Sequence, residues 1–386
     1  MDMARKIFFG MLVLVISLFG FVEDESLKEL TDKFKSYNEI FPQNKLILIF
    51  NQPEYAPGDT VFFKAHLLGE DLKPIRGHQV ASLVLLDADG IEVNRESFTI
   101  QNGVAGNQTV LSENLPGGVY KLVAYTNWMK NFSSKLYFTT LLTVAGDHHF
   151  ISQTDLPVRI KLFPEGGNMV AGLPMRVVAL ATRGDVPFAT EGRVVDTQGN
   201  ELKRFVCGKT GIASFELMLN ADEDYTLEVT GGTKTPIVVE KEGYVLQVDR
   251  EDELLKASIQ VQSKRATKES VYVVATSRSK IRYASMISLT EGEPASVLIP
   301  YKNIPEGILQ ITLFDSKLKE LASRLVYIDT RNGPDVNIQL DKESVATRDA
   351  VSFEVNVTDQ DGNAKIADLT ISGIYDNLFS GMNEIK

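Results

Sequence analysis

A few short stretches carry residue types that could do chemistry. Cys207-Gly208-Lys209-Thr210 ends like a phosphate-binding loop, in which backbone N–H groups and a lysine cradle phosphates. Lys203 stands five positions before Gly208, where that loop needs a glycine, and no helical pattern follows to aim an amino end at phosphate. Ser277-Arg278-Ser279-Lys280 and Lys209-Thr210-Gly211 have the spacings of serine acyl-transfer motifs, but in reversed chain order and with no Ser-Asp-Asn between them. His148 and His149, beside Asp147, offer metal donors without the further ligands a closed site requires. His66 and His78 have no nucleophile paired with them. The acidic run Asp359-Gln360-Asp361-Gly362-Asn363 lacks the ligand spacing and terminal Glu of a calcium loop. These stretches read as hairpin turns, strand ends and a linker, so no catalytic, cofactor-binding or metal-binding residue is assigned.

One cluster points to contact rather than catalysis. Tyr120, Tyr125, Trp128, Phe132, Tyr137 and Phe138 are the densest aromatic group and include the only Trp. Large aromatics often fill cores. Yet Asn127-Trp128-Met129-Lys130-Asn131-Phe132 interrupts the strand alternation around it, as a loop or bulge would. An exposed loop of this type would anchor a partner, which makes Trp128, Met129 and Phe132 the candidate partner-binding residues.

The whole composition narrows the function classes further. A chain of 386 residues exceeds a typical domain of ~100–150 residues and predicts several folding units. Its 44% hydrophobic and 24% charged residues are enough for packed cores. Forty Lys+Arg against 51 Asp+Glu give a net charge of −11, the wrong sign for a broad phosphate-neutralising face, so no nucleic-acid partner is expected. With one Cys there is no internal disulfide and no multi-thiolate metal site.

The elements that would position these residues begin with a basic start, Arg5 and Lys6, followed by an uncharged run over 7–22. Residues 1–22 therefore read as a secretory signal, which predicts export to the periplasm or the outer-membrane and cell surface. Leu27, Leu30, Phe34, Tyr37 and Phe41, at spacings of three and four, predict a short helix within 24–43, closed by Pro42. Beyond it the pattern has period two, as in Val61-Phe62-Phe63-Lys64-Ala65-His66-Leu67, with Gly, Pro and Asp-Gly turns every ten or so residues. That is the pattern of all-β sandwiches.

Internal repeats mark the units. Leu115-Pro116-Gly117-Gly118-Val119-Tyr120 aligns with Ile304-Pro305-Glu306-Gly307-Ile308-Leu309, and an Asp-x-x-Gly turn recurs at Asp87 and Asp196. The stretch 59–87 is similar to 349–376. The expected units are 44–145, 156–240 and 244–330, with an incomplete fourth sandwich at 335–386.

Pro53-Glu54-Tyr55-Ala56-Pro57-Gly58-Asp59-Thr60-Val61, with Gly118-Val119-Tyr120 and the strand at Ala124-Tyr125-Thr126, resembles the opening module of the alpha-macroglobulin type. Phe163-Pro164-Glu165-Gly166-Gly167 resembles the start of a further macroglobulin-like module, as in large bacterial envelope proteins. The third unit matches only in its last hairpin and the fourth only in its first strands. The resemblance implies tandem macroglobulin or immunoglobulin-like antiparallel β-sandwiches in an extracytoplasmic setting. Cys207-Gly208-Lys209-Thr210 lacks the Glu-Gln of the family's Cys-Gly-Glu-Gln thioester, so covalent trapping is not implied.

The expectation is a non-enzymatic binding or scaffolding rod of the cell envelope. The alternative is an endopeptidase inhibitor of the alpha-macroglobulin type acting without a thioester. The partner would be an envelope protein or an exogenous protease, with membrane contact only through the N-terminal segment or a partner.

Overall fold

The structure is a computed structural model that describes residues 25–146, 156–184, 186–262, 268–329, 333–342 and 350–370. The secretory-signal reading of 1–22 and the His148–His149 pair lie outside the described residues. Among the described residues, no helix is long and apolar enough to cross a membrane.

The described residues begin with helix α1 (Glu25–Ile40), whose last turn is extended when the Phe41 N–H donates to the Tyr37 carbonyl. No residue of the helix is fully buried. Leu27, Leu30 and Phe34 are half-covered while Tyr37, Ile40 and Phe41 stay exposed, so the helix lies on the sandwiches rather than in a core.

Unit 1 contains β1 (Lys45–Phe50), β2 (Glu54–Tyr55), β3 (Thr60–Leu68), β4 (His78–Leu86), β5 (Glu92–Gln101), β6 (Val104–Val110), β7 (Gly118–Thr126) and β8 (Phe138–Val144). They hydrogen-bond in the order β1-β3-β6-β5-β4-β7-β8-β2. A single pair, Gln101–Val104, joins β5 to β6, so the sheet folds into two layers there. Alternation in β3 buries Val61, Phe63, Ala65 and Leu67 and leaves Phe62 exposed. Phe63 meets Phe98 of the opposite layer edge-on at 5.1 Å. The Tyr-x-Pro-Gly-Asp signature earns its residue types here. Tyr55 is buried with its hydroxyl donating to Asn51, Gly58 has φ +84°, and Asp59 accepts the Ala56 N–H.

Unit 2 contains β9 (Val158–Pro164), β10 (Met175–Arg183), β11 (Val186–Pro187), β12 (Thr190–Val195), β13 (Glu201–Cys207), β14 (Ile212–Leu217), β15 (Tyr225–Val229) and β16 (Lys234–Ile237). In one sheet β10 lies between β9, β11 and β14; the other runs β13-β12-β15-β16. Unit 3 contains β17 (Gly243–Glu251), β18 (Leu254–Gln262), β19 (Lys268–Ser277), β20 (Lys280–Thr290), β21 (Ala295–Pro300), β22 (Gly307–Phe314) and β23 (Glu320–Ile328), in sheets β17-β18-β21 and β20-β19-β22-β23. The last two described strands, β24 (Asp335–Leu340) and β25 (Phe353–Thr358), pair only with each other.

Each of the three units has its own cluster of buried apolar side chains, and the clusters meet at the boundary of units 2 and 3. Val245, on the first strand of unit 3, packs into the core of unit 2, while its neighbour Leu246 packs into that of unit 3. The protein is thus an all-β series of antiparallel sandwiches, with one α-helix among the described residues.

One turn is built four times. Asp87, Asp196, Asp315 and Asp359 each accept, through the side chain, the N–H groups two and four residues ahead. The fourth residue of each turn sits at positive φ: Gly90, Gly199 and Gly362 near +80°, but Leu318 at +64°. The acceptor role favours the ionised carboxylate, and the Asn200 amide helps hold Asp196 below the usual carboxylate range. For Asp359 the Lys365 ammonium acts first and the turn N–H groups second, in the same direction.

Some contacts join units that are not neighbours in sequence. The Asn38 amide of α1 donates to the Ser279 carbonyl of unit 3 at 3.3 Å. Lys64 of unit 1 pairs with Asp368. A rod whose units touch only their sequence neighbours therefore does not describe this chain.

Candidate interaction surfaces

The segment singled out for partner binding is indeed irregular, a 3-10 turn over Trp128–Asn131. Its side chains do different work from one another. Met129 is 1% exposed and belongs to the core of unit 1, which corrects its assignment as an exposed contact residue. The apolar thioether fills the space beneath the turn. Trp128 is half-buried; its indole N–H donates to the Pro42 carbonyl at 2.7 Å, and its ring meets Phe132 edge-on at 5.9 Å. Trp128 thereby ties the segment leaving α1 to unit 1. Tyr125 and Tyr137 of the same cluster stack at 4.6 Å, with the Arg95 guanidinium donating to the Tyr125 hydroxyl.

The stretches with apparent catalytic spacing are turns. Cys207 is buried at the end of β13, where burial pushes its thiol pKa up and away from reactivity. Gly208 to Gly211 form the turn that carries the chain from β13 in one sheet to β14 in the other. Arg278 and Ser279, at φ +50° and +53°, are the turn between β19 and β20. Among the described residues no group of three or more His, Cys, Asp or Glu could hold a metal.

The most developed polar site joins units 2 and 3, at the Pro-Glu-Gly-Gly turn that follows β9. Glu165 is 6% exposed. Its Oε1 accepts the Val248 backbone N–H at 3.0 Å and the Arg324 Nε–H at 2.9 Å. Its Oε2 faces Arg176 Nη1 at 3.2 Å, and the same guanidinium donates to Asp249 at 2.7 Å. A buried carboxylate is costly unless so paired. Asp249 and Glu165 in turn raise the already high Arg176 pKa, with the Asp249 hydrogen bond the largest cause. The Gly166 carbonyl accepts the Ser323 N–H at 3.3 Å. Gly166 itself has φ +92°, and a Cβ there would lie 2.8 Å from the Leu246 nitrogen. Only glycine suits that approach.

The β24–β25 ribbon is the opposite kind of surface. Register pairs Val336 with Val357, Ile338 with Val355 and Leu340 with Phe353 on one face; Asp335 with Thr358, Asn337 with Asn356 and Gln339 with Glu354 occupy the other. One face is wholly apolar and the other wholly polar. Val336, Ile338, Leu340 and Phe353 are all exposed, Ile338 to 61%. Among the described residues no second layer covers that apolar face, the layer that stabilises a sandwich.

Sequence reasoning named neither surface as functional. In the sequence, Phe163-Pro164-Glu165-Gly166-Gly167 carries a family resemblance, and its Glu-Gly-Gly is the signal of a tight turn. The alternation of β25 is readable in Val351 to Val357, and an incomplete sandwich at 335–386 implies a face without a second layer; the β24–β25 register adds which residues line that face.

No protein-family model matches the sequence, and comparison with curated proteins finds no match. Solved structures do show likenesses. Trypsin-activated alpha-2-macroglobulin from Escherichia coli is similar at 13% identity and a TM-score of 0.25, over 81% of this chain and 26% of that one. Dimeric latent PorU from Porphyromonas gingivalis is similar at 10% identity and a TM-score of 0.31, over 75% and 34%. A tetra-tandem repeat from the extending region of a large adhesion protein is similar at 13% identity and a TM-score of 0.22, over 83% and 89%. The chain thus spans about a quarter of the macroglobulin and a third of PorU. At these values the likeness concerns the β-sandwich modules and does not extend to activity.

Proposed function

We propose that the chain is a non-enzymatic, extracytoplasmic binding or scaffolding protein of the bacterial cell envelope. The observation that carries this reading is the β24–β25 ribbon, which has six apolar side chains on one face, four of them exposed, next to a series of tied sandwiches. An apolar face that no described residue covers marks a contact surface. The partner is a protein of the envelope that offers an apolar β-face or strand. The basic, then apolar, sequence of residues 1–22 supports export.

The test is fractionation of the native host. The protein is expected with the envelope fraction, and a Leu340→Lys/Phe353→Lys variant is expected to shift into the soluble periplasmic fraction. Recovery of the unprocessed chain from the cytosol, or a variant distributed like the unmodified protein, would overturn the reading.

A further inference from the structure

The three described sandwiches close their open edges in two different ways. In unit 1 the segment after β1 crosses over and pairs in parallel with the last strand: Glu54 with Thr143, Tyr55 with Val144. Unit 2 has a counterpart in the parallel bridge from Val170, after β9, to Glu240, just past β16. Unit 3 has no such segment, because β17 turns at Asp252 (φ +49°) straight into the hairpin with β18. Among the described strands β17 pairs with β18 alone and β23 with β22 alone, so both present an edge of backbone groups on the side away from their partner.

Unit 2 covers those edges at two points. The outward N–H of Val248 on β17 goes to the Glu165 carboxylate, and the outward N–H of Ser323 on β23 goes to the Gly166 carbonyl. Arg324 of β23 reaches the same carboxylate oxygen as Val248, so Glu165 bridges the two sheets of unit 3 from outside. The exchange is mutual, since Val245 of β17 packs into the core of unit 2.

We propose that the 164–167 turn is a built-in edge cap. It occupies the strand-addition positions of unit 3 in place of a closing strand, so that units 2 and 3 form one cooperative body and withhold the β17 and β23 edges from other chains. Unit 3 is then not an autonomous sandwich. The cap goes beyond the binding role proposed above and does not depend on it.

Hydrogen exchange on the full-length protein tests this without any variant. The amides of Val248 and Ser323 are expected to exchange at least about tenfold more slowly than that of Leu325, two residues further along the same edge. Calorimetry is expected to show one transition for units 2 and 3. Glu165→Ala is expected to release both amides by about tenfold or more while leaving the β3 amides of unit 1 unchanged, and to split the transition in two. Gly166→Val should do the same; Glu165→Gln, which retains an acceptor, serves if either variant fails to fold and should give a smaller release. The proposal is overturned if Val248 and Ser323 exchange as fast as Leu325, if units 2 and 3 melt separately in the unmodified protein, or if Glu165→Ala and Glu165→Gln both leave the two amides protected.

Discussion

Strand β23 and the β24–β25 ribbon are separated by only a short connection, yet the chain treats them in opposite ways. The β23 edge receives a carbonyl and a carboxylate from unit 2, and its inner side chains Ala322 and Ile328 are buried. The ribbon alternates just as regularly, but no second layer covers its apolar face among the described residues. Alternation makes a strand; what lies across from it decides whether the strand is core or surface. In this protein the covering pieces come from far away in sequence, Glu165 lying 159 residues from Arg324.

The sharpest way to break this contrast is Gly166→Val. Positive φ and a Cβ at 2.8 Å from backbone should together cost about 3 kcal/mol, read as a lower denaturant midpoint for units 2 and 3. Glu165→Ala should follow at about 2 kcal/mol, below the usual loss for a broken buried pair, because Arg176 and Arg324 are 36% and 41% exposed and partly screened. A gain is expected at the turn leading into β23. Leu318→Gly relieves the one non-glycine among the four repeated Asp turns and should stabilise unit 3 by ~0.5–1 kcal/mol in the same titration. The smallest effect belongs to the ribbon: Ile338→Lys should change stability by less than about 0.5 kcal/mol while lowering hydrophobic-dye binding. A large loss of stability at Ile338 would show that the face is covered and erase the comparison.

Much of the fold was legible because period-two alternation and turn chemistry are local. Leu27, Leu30 and Phe34 marked the helix, Val61 to Leu67 a half-buried strand, and Asp87 and Asp196 their turns. The third member of that turn series was hidden because Leu318 stands where glycine was the signal. The candidate surfaces were harder to read, for a physical reason. Met129 and Trp128 are adjacent, yet one faces the core and the other the helix exit, a difference set by the 3-10 turn and invisible to composition. The cap was missed because edge coverage is a non-local property: nothing in Pro-Glu-Gly-Gly names Val248 or Ser323 as its partners.

The lone cysteine has a practical consequence. Cys207 is the only thiol in the chain, it is 1% exposed, and its burial keeps it protonated. A thiol reagent can therefore modify the described sandwiches only when unit 2 itself opens. The labelling rate is a clock carried in the wild-type sequence. It should stay slow if the cap at Glu165 merely lifts away from unit 3, and should run fast once unit 2 unravels, so the two events can be timed separately in one tube.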